Sequence, residues 1–282
     1  MFLVNAWMRE NEMAHHDKIS QRSKAASWIV QGQDFFAQER YEEAVAAFEK
    51  ALRLDSSNAD VIFQKGEALS RLDRLKGAVA AYEQVLRLNP AHVAALTRKA
   101  SVLVDLNRPQ EALIACEKAL YLAPTNPLVL ECKGRVLLNG RLNRNEEALD
   151  LFEQALRLAP GKVGILRSKA HALYELKRNE EALEVCEQAL HLTPEDVNIL
   201  FLKGVVLHEL KRNEEALDVC KRVLQVEPEY SVVFLEKGDV LWSLSRYEEA
   251  LEAYEQALRL DPDDSDSAAN RADLLGRLGR CE

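Results

Sequence analysis

The chain has 282 residues, 48% of them hydrophobic and 29% charged, with 11 glycines and 8 prolines. That balance, weighted towards Ala, Glu, Leu, Arg and Lys, suits long amphipathic helices and argues against a disordered chain. The formal net charge of −9 repels phosphate, so nonspecific nucleic-acid binding and adsorption to anionic membrane are disfavoured.

The first 24 residues fit no repeating pattern and read as a leader, helical or partly disordered. They open Met1-Phe-Leu-Val-Asn-Ala-Trp-Met8 with no basic lead, which makes a poor signal peptide. No apolar run reaches the roughly 20 residues that a membrane span needs. His15 and His16 stand without further ligands and read as surface polar residues rather than a metal site. Five cysteines follow, at 116, 132, 186, 220 and 281. Their odd number and the lack of CxxC spacing argue for reduced thiols, a cytoplasmic location and no zinc.

From residue 25 onward self-similarity dominates. A motif close to Glu-Glu-Ala recurs with its alanine at Ala44, Ala78, Ala112, Ala148, Ala182, Ala216 and Ala250, every 34 residues with a single interval of 36. Twelve positions earlier lies a small residue: Gly32, Gly66, Ala100, Ala170, Gly204 or Gly238, with Gly134 displaced by an insertion. Four positions after the alanine comes Phe48, Tyr82, Cys116, Phe152, Cys186, Cys220 or Tyr254, and every unit but the first closes on a proline, from Pro90 to Pro262. Within a unit, apolar residues fall at helical spacing in two stretches, such as Leu200, Leu207 and Leu210, then Ala216, Leu217, Cys220, Val223 and Leu224. Between them the turn at 211–215 predicts Asn213 as helix N-cap, with two glutamates at the positive end of the second helix and the proline as stop. Each unit is thus a helical hairpin that buries its apolar faces only by stacking on its neighbours.

In these residues the chain resembles the tetratricopeptide repeat family. The resemblance implies an all-α, right-handed α-solenoid of about seven 34-residue helix-turn-helix units at 25–58, 59–92, 93–126, 127–162, 163–196, 197–230 and 231–264. Three cysteines replace the usual aromatic, as small buried hydrophobes can. The fourth unit has two extra residues within 139–144, read as loop variation. A C-terminal capping helix at 265–282 carries Ala268, Ala272 and Leu275 in phase with the repeat and acidic residues outside.

No enzymatic constellation is present: GxGxxG, HExxH and GxSxG are all missing. The paired glutamates recur at one structural position, which argues for helix-start electrostatics rather than acid–base chemistry. A lysine before every small residue but the first (65, 99, 133, 169, 203, 237) reads as a stem packed on the neighbouring helix with its ammonium near a glutamate. The resemblance places the first helices on a concave surface, and carrying its groove positions over gives Phe63, Arg98, Arg135, Arg167, His171, Tyr174, Phe201, His208 and Trp242 as a peptide-binding groove. Phe36, Glu67, Val104, Leu138, Leu235 and Asp239 take further groove positions. Arg98, Arg135 and Arg167 would pair with carboxylates of the partner. The chaperone-tail positions of the family hold Ile29, Gln33, Gln64, Ala94 and Arg98 here; one match of five disfavours that use. The expected function is a non-catalytic protein-interaction scaffold or adaptor without cofactor or metal. A regulatory or assembly subunit of an enzyme complex is the alternative, and an RNA-binding helical repeat is less favoured. A monomer is slightly favoured over an oligomer.

Overall fold

The computed structural model describes residues 21–138 and 142–279, and these are all-α, with fifteen helices and no strand. Most of the leader with His15 and His16, Asn139 to Arg141 of the long turn, and the last three residues with Cys281 lie outside the described residues. The chain divides into two compact units, Met1–Asn143 and Arg144–Glu282.

The N-terminal unit holds α1 (21–37), α2 (Tyr41–Leu54), α3 (Ala59–Arg71), α4 (Leu75–Leu88), α5 (Val93–Asp105), α6 (Pro109–Leu122) and α7 (Pro127–Leu138). The C-terminal unit holds α8 (Asn145–Leu158), α9 (Val163–Glu175), α10 (Asn179–Leu192), α11 (Val197–Glu209), α12 (Asn213–Val226), α13 (Ser231–Ser243), α14 (Tyr247–Leu260) and α15 (Ser265–Arg277). From α2 to α7 and from α8 to α15, successive helices pack on one another. First helices of neighbouring hairpins also approach each other, α5 with α7 and α11 with both α9 and α13. Each unit is therefore a stack of helical hairpins with its first helices side by side.

The core is made from the periodic positions. Ala44, Ala78, Ala112, Ala182, Ala216 and Ala250 are fully buried where the second helix of a hairpin meets the first. Opposite the buried ring of the second helix sits the small residue of the first helix. A Cβ built on Gly32 would lie 2.5 Å from Phe48, one on Gly66 2.7 Å from Tyr82, and one on Gly238 2.6 Å from Cδ1 of Tyr254. Those three glycines are demanded by the rings. Where the ring is replaced by a thiol the demand relaxes: Ala100 and Ala170 stand opposite Cys116 and Cys186, and a Cβ on Gly204 would sit 3.8 Å from the Cys220 sulfur, ordinary contact.

The turns inside the hairpins use a left-handed residue, namely Glu39, Asp73, Asn107, Asn143, Lys177, Lys211 or Ser245, with φ between 47° and 62°. The next residue is always an arginine, and it, not Asn213 or its equivalents, is the N-cap of the second helix. The expected Asn213 cap is thus corrected. Asn213 is already helical, so its side chain cannot fold back on the first turn, and its carboxamide oxygen is buried without a partner. Arg212 instead grips Glu215 through two hydrogen bonds of 2.7 Å, and the same fork recurs in Arg108–Glu111, Arg144–Glu147, Arg178–Glu181 and Arg246–Glu249, with Arg40–Glu43 alike. The fork holds the carboxyls of Glu43, Glu111, Glu181, Glu215 and Glu249 below their ordinary range, so these glutamates form surface ion pairs at helix starts.

A second correction concerns α15. Its packed face is Ser267 and Leu274, both fully buried, whereas Ala268 and Ala272 are exposed. Ala272 occupies the small-residue position, which in the hairpins faces a second helix; among the described residues α15 has no second helix to meet. Its acidic N-terminal turn is capped by Asp264, which accepts from the amides of Asp266 and Ser267.

Candidate interaction faces on the first helices

The nine residues expected to bind a partner all stand on first helices: Phe63 on α3, Arg98 on α5 and Arg135 on α7 in one unit, then Arg167, His171 and Tyr174 on α9, Phe201 and His208 on α11 and Trp242 on α13 in the other. Four of the six recurrent lysines are accounted for structurally. Lys65, Lys99, Lys169 and Lys203 reach back to Glu49, Glu83, Glu153 and Glu187 at 2.7 to 3.0 Å across the boundary between neighbouring hairpins.

In the N-terminal unit the faces of α1 and α3 enclose a pocket of about 320 Å³ lined by Gln33, Phe36, Phe48, Phe63, Gln64 and Glu67. Phe63 is half-buried, tilted against Tyr82 at 5.7 Å and His92 at 5.2 Å between ring centres. At the rim Gln33 donates to Gln64 at 3.2 Å. Glu67 accepts from the Tyr82 hydroxyl at 2.7 Å and pairs with Arg98 at 3.3 Å. Arg98 thus pairs with a carboxylate of its own unit while its side chain stays largely exposed. Burial, with the Glu67 hydrogen bond, pushes the Tyr82 hydroxyl far above its usual range, so it remains a donor. Arg135 on α7 is exposed.

The C-terminal unit repeats one device. Asp239 accepts from the Tyr254 hydroxyl at 2.8 Å and from Asn270 at 2.9 Å. In both units a carboxylate follows the small residue, a tyrosine 15 positions on donates to it, and a donor 31 positions on completes the set. Burial raises the Asp239 carboxyl. Nearby, His208 contacts Glu236 and Ser243 at 3.0 Å each, and the Glu236 hydrogen bond raises its imidazole above the ordinary value. Trp242 packs edge-on to Tyr247 and under the Arg277 guanidinium, 4.9 Å from the ring centre. Phe201 leans on Tyr230 at 5.9 Å, and Lys177 lies over Tyr174 at 5.1 Å. Arg167 and His171 are exposed, His171 within 3.8 Å of Glu175.

Seven of the nine are thus either engaged with their own unit or partly buried in it, and Arg135 and Arg167 present their charge outward. The sequence reading missed the 31-residue offset that links one first helix to the next. Its signal was present: Gln33 and Gln64, Glu67 and Arg98, Ser101 and Cys132, and Asp239 and Asn270 are all polar or thiol pairs at that spacing. Among the described residues no group of three or more His, Cys, Asp or Glu is placed to hold a metal ion, and no helix is long and apolar enough to cross a membrane.

Comparisons with known proteins bear on the same architecture. A tetratricopeptide repeat model matches residues 63–127, 134–197 and 167–230, and a second TPR repeat model matches 32–73 and 238–279. No curated protein matches the sequence significantly. A tetratricopeptide repeat protein from Parabacteroides merdae is similar over 89% of this chain and 98% of its own, with a TM-score of 0.71 at 16% identity. PilW, described as a widely conserved type IV pilus biogenesis factor, superposes with a TM-score of 0.68 at 19% identity, over 75% of this chain and 97% of its own. YrrB, described as a TPR protein with an unusual peptide-binding site, gives 0.51 at 24% identity, over 68% and 97%. At these identities the likeness is one of fold. The family models cover well over half of the residues, in register with the hairpins, and the chain belongs to the tetratricopeptide repeat family.

Proposed function

We propose that this protein is a non-catalytic scaffold or adaptor that takes a peptide or protein segment on the faces of its first helices. The TPR fold supports protein–protein interaction in general, and its members are typically non-catalytic. The observation that carries the finer reading is the pairing of surface chemistries on these faces. The pocket between Phe36 and Phe63 has room for one large apolar side chain, with amide groups at its rim to meet a peptide backbone. Arg135 and Arg167 offer planar donors suited to carboxylates. Trp242 adds a large half-buried ring at the last hairpin. Four buried, unlinked cysteines support action in a reducing compartment such as the cytoplasm.

The test is affinity purification with wild type beside an Arg135→Glu, Arg167→Glu, Trp242→Ala variant, with circular dichroism showing equal helicity. Partners lost with the variant support the first-helix faces as the working surface. Identical partners would move the site elsewhere and overturn this reading.

A further inference from the structure

Among the described residues, the core cysteines that face each other are Cys116 and Cys132. Their sulfurs lie 3.5 Å apart, the two carried by the packed helices α6 and α7 of the N-terminal unit. The contact comes from an offset of 16 residues between the ring position of one repeat and the next first helix. The same offset leads from Phe48 to Gln64, from Tyr82 to Arg98, from Cys186 to Leu202 and from Cys220 to Glu236, so no other repeat matches two thiols. A disulfide needs its sulfurs about 2.05 Å apart. Closing the remaining ~1.5 Å calls for side-chain rotation on two helices that already touch.

We propose that Cys116 and Cys132 form an oxidisable dithiol, which closes to a disulfide joining the third repeat to the first helix of the fourth. The surroundings assign the roles. The Cys132 thiol donates to the Thr97 carbonyl at 3.4 Å, and its sulfur lies 3.8 Å from the Ser101 hydroxyl. Hydrogen bonds from Cys116 and Ser101, with Arg135 near, hold Cys132 below its ordinary thiol value against the opposing effect of burial. Cys116 is pushed up by its hydrogen bond to Cys132 and by burial, while burial alone pushes Cys186 and Cys220 up to about 12. Cys132, 5% exposed where Cys116 is fully buried, is the sulfur that an oxidant meets first.

With a peroxide as oxidant the step balances. The Cys132 thiolate attacks one peroxide oxygen, the O–O bond breaks, and the leaving hydroxide takes up a proton as water. The resulting sulfenic sulfur is attacked by Cys116, the S–O bond breaks, and the second water departs with the Cys116 proton. Two thiols lose two electrons and one peroxide becomes two waters. The product fastens α6 to α7, and in a stacked array, where stability resides in nearest-neighbour contacts, it would lock that one interface.

The test uses the full chain carrying Cys281→Ser, exposed to hydrogen peroxide, then alkylated under denaturing conditions and digested for mass spectrometry. The expected result is a fall from four free thiols to two, a Cys116–Cys132 linked peptide, full alkylation at Cys186 and Cys220, and reversal by reductant. A Cys132→Ser companion should keep its three remaining thiols free. Four thiols still free, sulfinic acids without linkage, or links that recruit Cys186 or Cys220 would each overturn the proposal. The readout requires no substitution at either cysteine of the pair, so it stands even where Cys132→Ser impairs folding. It is also independent of partner binding.

Discussion

The sixth and seventh hairpins, α11–α12 and α13–α14, share a frame and differ in one core choice. Both carry a glycine at the small position and a fully buried alanine at Ala216 or Ala250. In the seventh the glycine faces the Tyr254 ring, where a Cβ has no room; in the sixth it faces Cys220 and Val219 with room to spare. The same residue at the same period is therefore a steric necessity in one repeat and an option in the other. A motif position is explained by what stands opposite it, not by its recurrence.

Five substitutions and one titration would break or sharpen that contrast. The largest effect is expected where the repeats agree: Ala216→Asp and Ala250→Asp each bury a charge between packed helices and should cost on the order of 3 kcal/mol or more in urea unfolding. A large inequality between them would mean the shared frame is not shared. Next, Gly238→Ala should cost about 1–3 kcal/mol by overpacking against Tyr254. In a Tyr254→Cys background most of that cost should vanish, which a double-mutant cycle would read as coupling. Gly204→Ala should instead stabilise by roughly 0.5–1 kcal/mol, since the helix gains an alanine without a clash. Smaller again, Lys211→Gly relieves a left-handed lysine in the turn of the sixth hairpin and should gain about 0.5 kcal/mol, seen as a raised melting temperature.

The smallest effect is the pH dependence from His208 at the boundary of these hairpins. Glu236 raises the folded imidazole above its unfolded value of about 6.5. Its contribution to stability is therefore complete below that pH and is lost as pH rises through the raised folded value. Asp239, also raised when folded, adds a loss of the same sign with rising pH, in the acid range above its unfolded value of about 3.9. His208→Gln should flatten the upper part of the curve in thermal melts taken across pH, and an unchanged slope would show that the Glu236 contact is not formed in solution.

Much of the fold was legible in the sequence because a period repeats its own evidence. The alanines, the small-residue and ring positions, and the helix-start glutamates each recur at one spacing, and each recurrence has a packing or electrostatic reason. What stayed hidden depends on two helices at once or on backbone geometry. Asn213 has the right chemistry for a cap but sits one residue too far in, because the left-handed turn ends at Lys211 and hands the cap to Arg212. Ala272 matches the small position yet faces solvent, since among the described residues α15 has no second helix against it. Arg98 looked free by residue type and is held by Glu67, 31 positions back. The Cys116–Cys132 contact lies at a 16-residue offset that no short motif scan tests. For the candidate site, residue type could nominate side chains on the first helices, but only geometry distinguished Arg135 and Arg167, exposed, from His208, half-buried against Glu236, and Arg98, exposed but paired with Glu67.

The central claim is that partners meet the first helices. Its most direct test is site-specific photocrosslinking in the native cell, with a benzophenone side chain placed singly at Phe63, Arg167 or Trp242 on first helices and at Ile114 or Glu184 on exposed positions of second helices. The account predicts protein adducts from the first three sites and none from the other two. Adducts confined to Ile114 and Glu184 would place the working surface on the second helices and contradict it.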